Sequence, residues 1–290
     1  MKISTILAAA FVLTLTPLPA SAKEPAKAPT KSFDLTKVIP CPPQSNIAKG
    51  EGPDCKQDPE AQKADYQGVL DARKSANDDE IAMAMADAAY PTVAQFLRPI
   101  WLRLVNTAPD SCAPAKAILK DLDHDAAIAA QGRLKEDEAA LNTSLPATMS
   151  VLNEANYAEY RASDAAKDVY NRTRPFVVEI PGLPKIEPLT DKAYQKHLAK
   201  SSPSYPSGHT TFAFTSAAVL SALMPDETAI IMNRAERYGW HRIVVGVHFP
   251  TDVAAGRQSG LLVADAYLND PAMKDRLAAA RAELRKALCY

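Results

Sequence analysis

Apolar positions recur at helical intervals through most of this 290-residue chain, and the strict alternation that marks half-buried strands is almost absent. The clearest run is Thr210 to Met224, where Phe212, Ser216, Val219, Leu220 and Leu223 share one helical face. Pro206 forbids helix upstream of it, and Ser207 is a good N-cap. Before this run the pattern predicts helix from about Ala64, and again behind Asp78-Asp79-Glu80, through Ile81, Met83, Met85 and Ala88-Ala89 until Pro91 interrupts. Val93 to Val105 continues as an apolar segment, Asp110-Ser111 or Pro114 opens a helix through Leu122, and Ala126 to Leu141 and Met149 to Tyr170 are helical. Arg174-Pro175 is the expected end of that last helix, because a residue before proline avoids the α region. Residues 176–190, with Pro181, Pro184 and Pro188, read as an extended connection. Asp191 to Lys200, Asp226 to Tyr238, Thr251 to Leu268 and Met273 to Cys289 complete the set, the last with a stripe of Met273, Leu277, Ala280, Leu284 and Leu288 facing the core. Only Val177-Val178 and Ile243-Val244-Val245 suggest short strands, so the expected class is all-α.

The first residues fall outside that pattern. Lys2, the apolar stretch Ile6 to Leu15 and the small-residue site Ala20-Ser21-Ala22 have the form of an export signal over residues 1–22. No later stretch approaches about 18 consecutive apolar residues, so the expectation is a periplasmic or secreted protein with no stable membrane insertion after cleavage. Residues 23–62, rich in Pro, Lys and Gly, read as a tail or an arm lying on the surface, ahead of a helical domain over 63–290. A formal charge of -1 gives no electrostatic reason to expect nucleic acid. Cys41, Cys55, Cys112 and Cys289 lack the paired spacing of a zinc site; in an oxidising compartment they suit two disulfides. Of three pairings, Cys41–Cys55 and Cys112–Cys289 are preferred, the first closing a local loop and the second pinning the C-terminus.

Candidate chemistry gathers in three places. A helix starting behind Ser207 points free N–H groups and the positive end of its dipole outward, an arrangement that suits an oxyanion; Gly208 allows close approach, and His209 stands at the rim with a proton to hold or give. Read alone, this tetrapeptide is equally a capped core helix. His248 and Asp252 are four apart with helix-start residues between them, so the carboxylate can turn back and fix the imidazole's tautomer. Arg242 precedes His248 by six, which requires the chain to bend, most naturally at Gly246, if both serve one site. Lys167 and Arg174 are seven apart; on one helix they share a face, roughly 10 Å apart along the axis, within reach of one multivalent anion. The cluster Asp121, Asp123, His124 and Asp125 reads as solvated charge at a helix junction rather than a metal site.

Together, Lys167-x6-Arg174-Pro175, Pro206-Ser207-Gly208-His209 and Arg242-x5-His248-x3-Asp252 resemble the signature of the superfamily containing class A bacterial non-specific acid phosphatases, type 2 phosphatidic acid phosphatases and vanadium haloperoxidases. The resemblance covers about ten specified positions. It implies a single-domain helical bundle and a phosphatase acting on small phosphate monoesters without metal or cofactor. Lys167, Arg174, Arg242, Ser207 and Gly208 would hold the phosphoryl oxygens, His248 would be the nucleophile oriented by Asp252, and His209 the general acid and base. Where the family has Ser-Arg, this chain has His241-Arg242, and His241 is expected to pack under the loop rather than donate protons. The same motifs leave a lipid phosphate or isoprenoid pyrophosphate phosphatase, a vanadate-dependent haloperoxidase and a non-catalytic phosphate binder as alternatives. The preferred phosphoester and homo-oligomerisation stay open.

Overall fold

The computed structural model describes residues 33–43, 55–88, 96, 98–100, 112–115 and 134–289. The expected export signal and the Asp121–Asp125 cluster lie outside them, as do most of the helices expected between Val93 and Leu122 and the start of the one expected at Ala126.

Among the described residues every regular element is a helix. Helices α1 (Pro59–Ser75), α2 (Asp78–Ala86), α3 (Leu134–Ser144) and α4 (Pro146–Tyr170) lead to α5 (Lys192–Ser201) and α6 (Gly208–Leu223). The chain continues through α7 (Thr228–Val244), α8 (Pro250–Leu268) and α9 (Lys274–Ala287), with single 3-10 turns ahead of α7 and α9. None of these helices is long and apolar enough to cross a membrane.

Their starts follow local rules. Asp58, Asn77, Asp191 and Ser207 each accept a backbone N–H from the first turn of the helix they precede, and Asn77 forms a reciprocal capping box with Glu80. Helix α1 begins at Pro59, earlier than the periodicity from Ala64 suggests, because Asp58 caps it and proline is pre-shaped for the first helical position. Part of the Pro/Lys-rich segment is therefore helix, and part of it is core. Leu35 and Ile39 are buried against Ala162, Ala166 and Tyr170 of α4, Tyr205, and Ala255 and Val263 of α8. Disulfide Cys41–Cys55 closes this strap, and Cys112–Cys289 pins the C-terminus, the pairing preferred from sequence.

Helix α6 is the axis of the molecule. It packs against α4, α7, α8 and α9, and polar Thr210, Thr211, Thr215 and Ser216 are buried along with its apolar residues. Such burial on every side is the signature of a central helix. Its contact with α8 is backbone to backbone. A Cβ on Gly256 would lie 2.7 Å from the Ser207 carbonyl oxygen, and one on Gly260 would lie 2.5 Å from that of Thr211. Only glycine permits that approach.

Two helix ends differ from the sequence expectation. Helix α4 stops at Tyr170, four residues before Arg174, where Asn171 takes a left-handed φ of 40° and its N–H closes on the Lys167 carbonyl at 2.8 Å. Lys167 and Arg174 therefore do not share a helical face. Ile243 and Val244 are not strand but the last turn of α7, and Val177 lies in a turn. Their β-branched character reflects burial rather than extended backbone, since Val244 is fully buried. The bend required between Arg242 and His248 is present: α7 ends at Val244 and Gly246 has φ +78°.

Candidate active site

The turn at Gly246 brings the last turn of α7 and the start of α8 to the N-terminal end of α6. Val247 and His248 N–H both reach the Arg242 carbonyl at 3.3 Å, and Ser207 N–H reaches the Asp252 carbonyl at 3.0 Å. Two separate sequence motifs, 206–209 and 242–252, thus meet around one loop.

His248 is at the centre and buried. Its Nε2 lies 3.1 Å from Arg174 Nη1, and its Nδ1 lies 3.3 Å from Asp252 Oδ2. A guanidinium can only donate, so Nε2 carries the lone pair and the ring proton is on Nδ1, aimed at the carboxylate. Burial, then the charges of Arg174, Lys167 and Arg242, push the His248 imidazole well below its usual range. The ring is neutral at mildly acid pH, with its unprotonated nitrogen facing a cation. Asp252 also accepts the Phe249 N–H at 2.9 Å, so one carboxylate caps α8 and orients the imidazole.

The three cations reach this point by different routes. Lys167 extends from α4 and donates to the Pro203 carbonyl at 2.6 Å. Arg174, in the extended stretch beyond α4, donates to the Ser202 carbonyl at 2.8 Å, to Val247 O at 2.8 Å and to Pro203 O at 3.3 Å. The shared carbonyl of Pro203, not a common helical face, is what holds these two side chains together. Arg242, fully buried near the end of α7, donates to the Asp87 carbonyl and to Tyr194 Oη, each at 3.3 Å, while its Nε has no protein partner. Burial and the neighbouring Arg174 bring Lys167 down to about 7, and burial lowers Arg174 to about 10. Burial is the first cause of both shifts, and repulsion among the crowded cations adds to it.

Ser207 Oγ caps α6 and accepts Thr210 Oγ1 at 2.9 Å. A Cβ on Gly208 would stand 3.6 Å from Lys167 Cε, so the helix tip borders the lysine. His209 follows on the first turn, half-buried, its ring stacked on Tyr238 at 6.1 Å between centroids. Of the residues expected at the site, Lys167, Arg174, Arg242, His248, Asp252, Ser207 and Gly208 are joined by these contacts. His209 is placed by its position beside Gly208.

Sequence reading missed two residues. Arg172 is fully buried; Nη1 donates to Asp252 Oδ1 at 2.5 Å and Nη2 to Asp65 Oδ2 at 2.7 Å, while the guanidinium covers the Phe249 ring at 4.1 Å. Ser204 donates to Asp252 Oδ2 at 2.5 Å. Asp252 therefore has one oxygen fixed by arginine and the other shared among Ser204, Phe249 N–H and His248. An Arg two residues before the motif arginine was the available signal for Arg172, but its value depends on Asp65, 107 positions away. His241, which stands where the family has Ser, is buried in the last turns of α7: its Nδ1 meets Asp87 Oδ2 at 2.6 Å, and Arg234 binds the same carboxylate through two bonds of 2.7 Å. Burial opposes the charge on Asp87, but hydrogen bonds from Arg234 and His241 hold it below the usual carboxylate range.

Residues 149–275 match the sequence family described as the PAP2 superfamily. That stretch contains every residue of the candidate site named above, while Asp65 and Asp87 reach it from outside. The chain is 35% identical over 143 residues to an acid phosphatase of Zymomonas mobilis, covering 49% of this chain and 52% of that protein. It is 33% identical over 140 residues to a non-specific acid phosphatase of Salmonella typhimurium, covering 48% and 53% respectively. A non-specific acid phosphatase of Providencia stuartii is 32% identical over 125 residues, covering 43% and 48%. The chain thus spans about half the length of the curated relatives it matches. A crystal structure of a transmembrane PAP2 type phosphatidylglycerolphosphate phosphatase from Bacillus subtilis aligns loosely, with a TM-score of 0.40 and 18% identity over 72% of this chain and 85% of that one.

Proposed function

We propose that this chain hydrolyses phosphate monoesters without a metal, through a phosphohistidine on His248. The observation that carries the reading is the fixed tautomer of His248: a neutral ring whose Nε2 lone pair faces Arg174 while Nδ1–H faces Asp252. A phosphoryl group seated between Lys167, Arg174 and Arg242 has its charge met by three cations and by the N–H groups at the start of α6. Nε2 forms the N–P bond as the bond from phosphorus to the ester oxygen breaks, and Asp252 stabilises the imidazolium that results. His209 gives its proton to the departing alkoxide, then takes one from the water that cleaves the N–P bond and releases phosphate. Because His209 must be protonated while His248 is neutral, turnover is highest at mildly acid pH. The acid phosphatase relatives agree with this substrate class. Export to an oxidising compartment is part of the same proposal, supported by the two disulfides.

The test is hydrolysis of p-nitrophenyl phosphate with EDTA present, together with trapping of labelled phosphoenzyme. Wild type turns over and gives an acid-labile phosphoenzyme, and His248→Ala gives neither. Turnover that requires added metal, or that survives in His248→Ala, refutes the mechanism.

A further inference from the structure

The anion site has a neighbour that none of the sequence motifs contains. Tyr194, on the first turn of α5, is half-buried between Leu198, Trp240 and Val244. Helix α5 is fixed there from both ends of its approach. Asp191 caps it through the Tyr194 N–H at 2.8 Å, Gln195 Nε2 bonds the Thr190 carbonyl at 2.7 Å, and Leu189 N–H joins the Val245 carbonyl at 2.9 Å. This brings the phenol oxygen 3.3 Å from Arg242 Nη2.

The hydrogen-bond inventory decides what the phenol does. Arg242 can only donate, so the Tyr194 oxygen is the acceptor in that pair, and its own O–H remains to be spent. Arg174 has no acceptor to offer, and among the described residues none takes this proton. The phenol thus keeps a donor to offer beside the buried Arg242 guanidinium of the candidate site.

We propose that Tyr194 contacts the bound phosphoryl group: its oxygen holds Arg242 Nη2 while its O–H donates to a phosphoryl oxygen. It adds an uncharged donor to the three cations and the N–H groups at the start of α6. The proposal rests on the phosphatase reading above and adds a residue to that site. An uncharged donor at this position lends orientation without adding to the repulsion among Lys167, Arg174 and Arg242.

Tyr194→Phe in the full chain keeps the ring and removes only the O–H. We expect kcat/KM for p-nitrophenyl phosphate and the affinity for inorganic phosphate as competitive inhibitor each to fall about tenfold, the range of a hydrogen bond to a charged group. An unchanged unfolding temperature checks that the ring still packs. Arg242→Gln separates direct contact from mere support of the arginine. If Tyr194 only holds Arg242, the Phe change costs nothing further in that background; direct contact predicts a further loss of about fivefold. A phosphate-induced tyrosine ultraviolet difference spectrum, present in wild type and lost in Tyr194→Phe, gives the same answer without the second substitution. Values within twofold of wild type for Tyr194→Phe, or no further loss in Arg242→Gln, overturn the proposal while leaving the reaction intact. A wild-type protein that neither turns over nor binds phosphate removes the phosphatase reading itself and this proposal with it.

Discussion

Replacing Arg172 by Leu should unfold the site from behind. Its guanidinium is wholly inside the protein, joined to Asp252 at 2.5 Å and Asp65 at 2.7 Å, and both carboxylates are themselves almost fully buried. Burial already raises Asp65; Arg172 opposes the rise, and Asp252 adds to it. Leucine fills similar volume but leaves two interior carboxylates facing each other with no cation between them. Breaking a buried pair by removing one partner costs about 3–5 kcal/mol. For a chain of this size that is a fall in unfolding temperature of roughly 10 °C. The catalytic loss is separate, because Asp252 Oδ1 loses its clamp and Oδ2 no longer holds His248 in one orientation; a displacement of that kind costs on the order of 100-fold in turnover. Asp65→Asn in the same background removes one stranded charge while its amide still bonds Thr251, so about half of the lost stability should return with little of the activity. Thermal unfolding of wild type, both single variants and the double variant measures the coupling, and p-nitrophenyl phosphate hydrolysis measures the rest. A loss below about 1 kcal/mol in Arg172→Leu, or no recovery in the double variant, would mean the arginine does not carry the burden assigned to it.

Two further outcomes follow from the same geometry. Lys167 in the free protein titrates at about 7, and a bound dianion favours its charged form, so binding takes up a proton above that pH; sulfate affinity should be flat below about pH 7 and fall as pH rises beyond it, whereas Lys167→Arg should flatten the slope. Isothermal titration in two buffers of different ionisation enthalpy measures the proton uptake, and a slope unchanged in Lys167→Arg would contradict it. Gly256→Ala puts a Cβ 2.7 Å from the Ser207 carbonyl and 2.9 Å from Thr210 Cβ, which forces α8 away from the start of α6; stability should fall by about 1–3 kcal/mol and turnover with it, measured by the same unfolding and hydrolysis assays.

Periodicity and capping chemistry determined much of this protein. The all-helical class, the helix behind Ser207 and the helix beginning near Asp191 were readable in the sequence, because each depends on residues close in the chain; the cysteine pairing was a preference among three possibilities that the structure matches. The spacing of Arg242, His248 and Asp252 likewise required a bend at Gly246, and the bend is there. What the sequence could not carry was the wiring between elements. A seven-residue spacing suggested that Lys167 and Arg174 share a helical face, yet α4 ends at Tyr170 and it is the Pro203 carbonyl, supplied by a later segment, that unites them. Arg172 belongs to none of the sequence motifs, and its role comes from Asp65 and Asp252, 107 and 80 positions away. The partner of His241, Asp87, comes from 154 positions away, and Tyr194 meets Arg242 across 48. The physical reason is common to all of them. A charged or polar side chain carries no periodic mark of being buried, and whether burial leaves it stranded or satisfied depends on partners that only the folded chain brings within 3 Å or so.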